Sequence, residues 1–261
     1  MHTQASIESP RTPRRRRSRK RVGVIPKLRA ALWPAQVGPL QKGCTWLAIC
    51  LLLALCVHAG SMGLAYLQVV TAENQLKYWY KLGKVPSDAS MESAMAAIER
   101  ANELHPNNPY QLTLQARLLE WRAYNAGQVI PEDYRAALAL YQQAVALRPL
   151  WPDSWAEMAQ VKVRLNEFDA DMDRYLVRAS ELGPYTPAVH LAVVQSGLPR
   201  LPALEGNLRT LLQTHLVRGF QDHRSKKQIQ ALIEQYGQQP LACQWLSAAE
   251  EVAKAPKFCD S

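Results

Sequence analysis

Motifs that carry chemistry are scarce in this sequence of 261 residues. It has no glycine-rich loop of the kind that holds phosphates. Its six histidines are scattered, and none stands in a metal-binding motif or a nucleophile signature. The acidic stretches at 131–133 and 169–173 favour a turn and a helix start rather than a catalytic or Ca²⁺ site. We therefore expect no enzyme activity, no metal site and no cofactor.

Acidic residues are almost absent from the start of the chain. Of the 31 Lys and Arg and 22 Asp and Glu, residues 1–42 hold eleven basic residues and one acid, Glu8, which leaves 20 basic and 21 acidic residues in the remainder. Frequent prolines and no apolar periodicity predict a disordered basic tail over 1–43. Because a nucleic-acid-binding domain usually has its basic patch on a folded surface, we interpret the tail as a topology signal and expect no nucleic-acid partner.

Formal charge is missing from the thirty residues between Lys42 and Glu73. The apolar stretch 44–70 is long enough for a transmembrane helix, which needs roughly 20 residues. A cleaved signal peptide is the alternative, since "VHA" before Gly60 resembles a cleavage site, but the apolar run continues well beyond it. The basic flank predicts a cytoplasmic N-terminus. We expect a single-pass protein of the bacterial inner membrane, with residues 71–261 in the periplasm.

No segment alternates like a β-strand, whereas apolar residues recur at helical spacing. The stretches "AMAAIERANELHP" (94–106) and "ALALYQQAVALRP" (137–149) superpose without a gap, and a looser copy ends at Pro184. This pattern of small, bulky and small residues before a proline is typical of the second helix of the tetratricopeptide repeat. The predicted packing residues are Ala94, Ile98, Ala101, Pro106, Ala137, Tyr141, Ala144 and Pro149, with Trp155 and Ala159 in a following first helix.

The predicted fold is all-α: one transmembrane helix, a tetratricopeptide-like array over 71–199, and capping helices over 200–261. The array needs a cap because its last unit has one face without a neighbour. The spacings between the three prolines are 43 and 35 residues. Since the standard period is about 34, the first interval predicts an insertion of about nine residues at 126–134. We expect this insertion to form an extended turn from Tyr124 to Asp133.

Only two of the five cysteines lie beyond the apolar stretch. Cys44, Cys50 and Cys56 are at or within it, as ordinary small residues of a helix. In an oxidising periplasm, Cys243 and Cys259 are expected to form a disulfide, with two free thiols as the alternative. Such a bond would contribute on the order of 3 kcal/mol.

Stacked repeats line a concave surface with their first helices, here expected at 110–123 and 153–165. Arginines in these segments suit a partner's carboxylates, because a guanidinium binds them in a two-pronged geometry. The partner would be an extended peptide, an acidic loop or an anionic glycan. The polar residues that the packing pattern does not claim are Gln111, Gln115, Arg122, Gln160 and Arg164.

The order of basic tail, apolar span, "ERANELHPNNPYQLTLQARLLEWRAY" and "ALALYQQAVALRPLWPDSWAEMA" resembles the VpsP-like proteins of bacterial exopolysaccharide biosynthesis clusters, which are membrane-anchored tetratricopeptide proteins. The resemblance covers residues 44–200. It implies a non-enzymatic scaffold with protein partners in a complex that makes or exports a surface polysaccharide. The alternative is a scaffold for assembly of pili, secretion machinery or cytochromes. The sequence leaves the polymer, the partner and the oligomeric state open.

Overall fold

The computed structural model of the protein describes residues 38–127, 130–249 and 259. Within these ranges the chain forms helices and no strand, which confirms the predicted all-α class. The predicted basic tail lies, as far as residue 37, outside the described residues. The helices are α1 (Pro39–Leu82), α2 (Asp88–Leu104), α3 (Pro109–Asn125), α4 (Pro131–Leu147), α5 (Pro152–Arg164), α6 (Ala170–Leu182), α7 (Pro187–Gly197), a 3₁₀ helix (Leu198–Ala203), α8 (Gly206–Gln221), α9 (Lys226–Gln235) and α10 (Gln239–Ser247).

The chain divides after His58 into two compact units. The described residues of the first unit belong mainly to the start of α1, a helix of 44 residues. At 1.5 Å per residue this helix is about 66 Å long. It is long and apolar enough to cross a membrane, and none of its most apolar window of 18 residues is buried. The apolar stretch 44–70 lies within this helix, which runs on to Leu82.

The second unit, from Ala59 onward, has its core in three apolar clusters. The first cluster joins the end of α1 to α2 and α3, and Trp79 and Ile98 are fully buried in it. The second cluster joins α3 to α7 around Tyr141 and Met158. The third joins α7 to α10 around Leu216. Because α3 and α7 each contribute to two clusters, neighbouring clusters share a helix.

Most residues of the repeated sequence pattern are buried, whereas Pro106 and Pro149 are exposed in the connections between helices. Small side chains at such positions let neighbouring helices approach closely. Trp155 is half-buried, and its Nε1 donates a hydrogen bond to the Pro149 carbonyl at 2.9 Å. The positions that are at most 1% exposed are Ala94, Ile98, Ala101, Ala137, Tyr141, Ala144 and Ala159.

Three connections between helices have the same construction. Before the first proline of each connection, His105, Arg148 and Gly183 have nearly equal backbone angles, with φ between −143° and −140° and ψ between 62° and 77°. These angles are not helical, and a residue that precedes a proline is disfavoured in the α-helical region. Three residues after the first proline a second proline starts the next helix, where its fixed φ is favourable. The connections read "HPNNP", "RPLWP" and "GPYTP" from residues 105, 148 and 183.

The extra residues of the first proline interval lengthen helices α3 and α4 rather than the connection between them. The connection between helices lies within the predicted turn from Tyr124 to Asp133 but is shorter than expected, because α3 continues to Asn125 and α4 begins at Pro131. Helices α3 and α4 have 17 residues each, whereas α5 and α6 have 13 each, a difference of four in each helix. One helical turn takes about 3.6 residues. The longer interval therefore adds one turn to each helix of the pair, which satisfies its backbone hydrogen bonds within the helices.

The C-terminal region packs as helices around the third cluster. Here the 3₁₀ helix and α8 to α10 bury Phe220, Ile229 and Trp245. A disulfide joins Cys243 of α10 to Cys259, with the two Cα atoms 5.6 Å apart. The described cysteines outside this bond, Cys44, Cys50 and Cys56, are exposed.

Candidate functional site

A pocket of about 220 Å³ opens among the end of α1 and helices α3, α4 and α5. Side chains three, four and seven residues apart share one face of a helix, and this spacing brings four residues of α3 and three of α5 into the pocket. Helices α1 and α4 add one tyrosine each. The lining residues are Tyr80 of α1, Arg117, Glu120, Trp121 and Tyr124 of α3, Tyr141 of α4, and Glu157, Gln160 and Arg164 of α5.

One ion pair in the pocket joins α3 to α5. The Arg117 guanidinium donates to Glu157 Oε1 from both Nε, at 2.7 Å, and a terminal nitrogen. The second oxygen of this carboxylate, Oε2, is buried and accepts no hydrogen bond from any described residue. Burial raises the pKa of the Glu157 carboxyl, and the charge of Arg117 opposes this shift. Glu157, which lines the pocket, therefore has an acceptor oxygen that no described residue satisfies.

A second ion pair lies beside the first. Arg164 of α5 pairs with Glu120 of α3. The other oxygen of Glu120 accepts a hydrogen bond of 2.5 Å from the Tyr141 hydroxyl. Burial raises the pKa of Tyr141 well above its usual value, so the hydroxyl remains a donor. With two arginines and two glutamates, the formal charges of the pocket sum to zero.

Aromatic rings form one wall of the pocket. Trp121 packs edge-to-face between Tyr80, at 5.2 Å between ring centroids, and Tyr124, at 5.5 Å. Trp79 supports Trp121 from the buried side at 6.2 Å. Such perpendicular arrangements are favourable for aromatic pairs. Tyr80 and Tyr124 are both 63% exposed, so the wall presents aromatic surface to solvent.

The pocket includes two of the five residues that the sequence analysis assigned to a partner. Gln160 and Arg164 line it together. Gln111 was expected to be left free by the packing, which is wrong, because it is 2% exposed between helices. Gln115 accepts a hydrogen bond from Asn102 Nδ2 at 2.9 Å. Arg122 pairs with Asp133, with Nε 2.8 Å from Oδ2.

Both arginines that were predicted to bind a partner, Arg122 and Arg164, form ion pairs within the chain. Arg122 and Asp133 lie in the extra turns of α3 and α4, so their pair joins the two added segments. Arg164 has its own carboxylate in Glu120. Replacing either arginine by glutamate would place two carboxylates together, so reversing the charge of both residues is expected to lower stability and would not test binding cleanly.

Sequence reasoning missed most of the pocket. Arg117, Glu120, Trp121 and Tyr124 follow each other at spacings of three, one and three residues. This stripe could have indicated a polar and aromatic face on α3. Glu157, which pairs with Arg117 of this stripe, is 40 residues away from it in the chain. The sequence alone does not give the register between α3 and α5 that brings these residues together.

A second polar cluster is buried between α7 and α8. His190 and His215 share a hydrogen bond of 2.8 Å between their Nδ1 atoms, and His215 Nε2 lies 2.8 Å from the Ser180 hydroxyl. Both rings are at most 1% exposed. This cluster lies within the core rather than in a pocket, and its hydrogen bonds are internal. Among the described residues, no group of three or more His, Cys, Asp or Glu side chains could hold a metal ion.

Comparison of the chain with protein-family models finds no match, and comparison with curated proteins finds no significant match. Function must therefore be argued from the pocket and from the helix that is apolar enough to cross a membrane.

Proposed function

We propose that this protein is a non-enzymatic scaffold of the bacterial inner membrane, with a tetratricopeptide-like periplasmic part that assists the synthesis or export of a surface polysaccharide. One observation carries the proposal. A ligand-sized pocket of aromatic and ion-paired side chains includes Tyr80, and Tyr80 belongs to the same helix as the membrane-compatible apolar stretch. A binding site would thus stand about 15 Å beyond residue 70 along that helix.

The repeat architecture is supported by the recurring connections. Helices α2, α4 and α6 are each followed by a residue of the same non-helical backbone geometry and a proline, and α3, α5 and α7 each begin with a second proline three residues after the first. The small and bulky residues of the repeated pattern are buried in both well-matched copies. A stack of helix pairs with such junctions is the arrangement expected of tetratricopeptide repeats.

The orientation is inferred from charge. Eleven basic residues and one acid precede the apolar stretch, and the chain after it is nearly balanced. Basic flanks stay on the cytoplasmic side. The pocket would then lie in the periplasm.

Binding fits the pocket better than catalysis. A glycoside hydrolase needs one carboxyl that gives a proton and a second that acts as a base or nucleophile. Here the two carboxylates, Glu120 and Glu157, are each held by an arginine of the pocket. This pairing of each carboxylate with an arginine suits holding a ligand.

The polysaccharide assignment rests on the resemblance to VpsP-like proteins, and the pocket makes it testable. In cells that lack the gene, full-length protein with Tyr80→Ala and Gln160→Ala is expected to accumulate normally but not to restore the surface polysaccharide. Both side chains are at least partly exposed, so the fold should persist. The matched control is Tyr78→Ala with Gln143→Ala, two exposed residues outside the pocket, which should restore it fully.

Full polysaccharide output from the pocket variant would contradict the proposal. Loss of pili, secretion or cytochromes in its place would favour the alternative scaffold. Release of new reducing ends from polysaccharide by the wild-type protein, but not by Glu157→Gln, would show an enzyme.

A further inference from the structure

We propose that the pocket among α1, α3, α4 and α5 binds one neutral sugar ring of a glycan. This inference rests on the proposed function, because it names the chemical class of ligand for the same pocket. It is drawn from the charge balance, the unsatisfied acceptor, the aromatic wall and the volume of the site.

Charge balance argues for a neutral ligand. Arg117 is paired with Glu157, and Arg164 with Glu120. An anionic ligand would lie against two carboxylates, and a cationic one against two guanidinium groups. In a partly desolvated site, either arrangement costs more than placing an uncharged molecule there. This reasoning departs from the anionic glycan expected from the exposed arginines of the sequence.

The unsatisfied oxygen indicates that the ligand is a hydrogen-bond donor. Glu157 lines the pocket, and its Oε2 is buried with no hydrogen-bond partner among the described residues. A buried acceptor left unpaired is costly, by about 1–3 kcal/mol in general. The Gln160 amide likewise makes no hydrogen bond with the described part of the chain. A ligand placed between Glu157 and Gln160 must donate a hydrogen bond to the Glu157 carboxylate. It can either donate to or accept from the Gln160 amide.

Hydroxyl groups match the polar surface better than peptide groups. A hydroxyl is a donor and an acceptor at the same atom, so one hydroxyl can bridge a carboxylate and a guanidinium of the same ion pair. Adjacent hydroxyls on a ring can do this at both pairs of the pocket. A peptide group carries its donor and acceptor on opposite sides and cannot pair with both members of one ion pair in this way.

The aromatic wall and the volume complete the match. A sugar ring has an apolar face of C–H groups as well as a rim of hydroxyls, and Tyr80 and Tyr124 offer aromatic surface that is 63% exposed. The volume of about 220 Å³ is below the roughly 300–1,000 Å³ of pockets for drug-sized ligands. It is therefore suited to one ring of a chain, with the neighbouring rings in solvent.

The test is ligand-observed saturation-transfer NMR on the full-length protein in lipid nanodiscs. The probes are the methyl glycosides of glucose, galactose, mannose and N-acetylglucosamine and their short oligomers. Detergents with sugar head groups are avoided, because they would compete for the site. At least one neutral glycoside or oligomer should receive saturation from the protein on its ring C–H protons.

Variants locate the binding in the pocket. Tyr80→Ala and Gln160→Ala should each weaken the Kd by about fivefold, the equivalent of one lost contact of about 1 kcal/mol. Tyr78→Ala and Gln143→Ala are the controls and should leave the Kd unchanged. Glu157→Gln should weaken binding further. Because Glu157→Gln also breaks a buried ion pair, circular dichroism must first show that this variant has the wild-type helical content. The Tyr80→Ala and Gln160→Ala variants test the pocket independently of Glu157→Gln.

The inference would be overturned if no neutral sugar of the panel bound, or if binding were the same in Tyr80→Ala and Gln160→Ala as in wild type. Binding of extended peptides that is lost in these two variants would assign the pocket to a protein partner instead. The proposed function can fail separately. Pocket variants that lose sugar binding yet restore the polysaccharide would refute that function and leave the sugar site standing.

Discussion

At the scale of single residues, the buried histidines make stability depend on pH. Burial lowers the pKa of His190 to about 4 and of His215 to about 3. The charge of Asp222 opposes the shift of His190, whereas Arg218 and Arg224 add to it. For His215, the neighbouring His190 and Arg218 add to the effect of burial. Both rings are therefore neutral in the folded protein at physiological pH.

The sign of the effect follows from proton binding. An unfolded histidine has a pKa near 6.5, so below that pH the unfolded chain binds protons that the folded chain does not. Stability should be constant above about pH 7 and fall as the pH decreases from about 6.5 to about 4, by up to about 1.4 kcal/mol per pH unit for each histidine.

Denaturant unfolding of the full-length protein across this pH range measures that slope. His215→Gln should make the slope shallower although it lowers stability at every pH. His223→Gln, at a histidine whose side chain is 91% exposed, is the matched control and should leave the slope as in wild type. A flat profile in the wild-type protein would contradict the buried neutral pair.

At the scale of helices, the extra turns of α3 and α4 are held together by Arg122 and Asp133. The Arg122 side chain is 47% exposed and that of Asp133 is 11% exposed. Because the arginine is well solvated, screening limits the coupling of the pair to about 0.2–1 kcal/mol. Asp133 also lies in the first turn of α4, where a negative charge is favourable.

A double-mutant cycle with Arg122→Ala and Asp133→Ala isolates this coupling in denaturant unfolding. Asp133→Ala alone should cost more than Arg122→Ala, because it removes both the pair and the charge at the helix start. The control cycle uses Arg174 and Asp171, a pair on one helix with both side chains at least 51% exposed, and should give a smaller coupling. Sugar binding should not change in Arg122→Ala. A coupling near zero at Arg122 and Asp133, or loss of binding, would show that the arginine has another role.

The helices themselves were largely predictable, and the pocket largely was not. Ala94, Ile98, Tyr141 and Ala159 were assigned to the core because their spacing matches one buried face of a helix, and all are buried. The pocket depends on contacts across helices, such as that of Arg117 with Glu157, which the spacing within one helix does not contain. The expected turn was too long for a related reason: the count of inserted residues was visible, but not their division between two helices.

At the scale of the whole molecule, the orientation of the chain in the membrane determines on which side of the membrane the pocket lies. Alkaline phosphatase fused after Gly127 should be active, because it would be exported, whereas a fusion near Pro39 should be inactive. β-Galactosidase at the same two positions should give the reverse pattern and serves as the control. A stable but inactive phosphatase fusion after Gly127 would overturn the orientation inferred from the basic tail.

The paired extra turns of α3 and α4 have a consequence for how this hairpin could arise. The four added residues at the end of α3 and the four at the start of α4 are separated in the chain only by residues 126–130. A single in-frame duplication or insertion in the gene at the tip of this hairpin would therefore lengthen both helices at once and keep them in register. Tyr124, one side of the aromatic wall, lies on the added turn, so the same genetic event would have supplied part of the pocket.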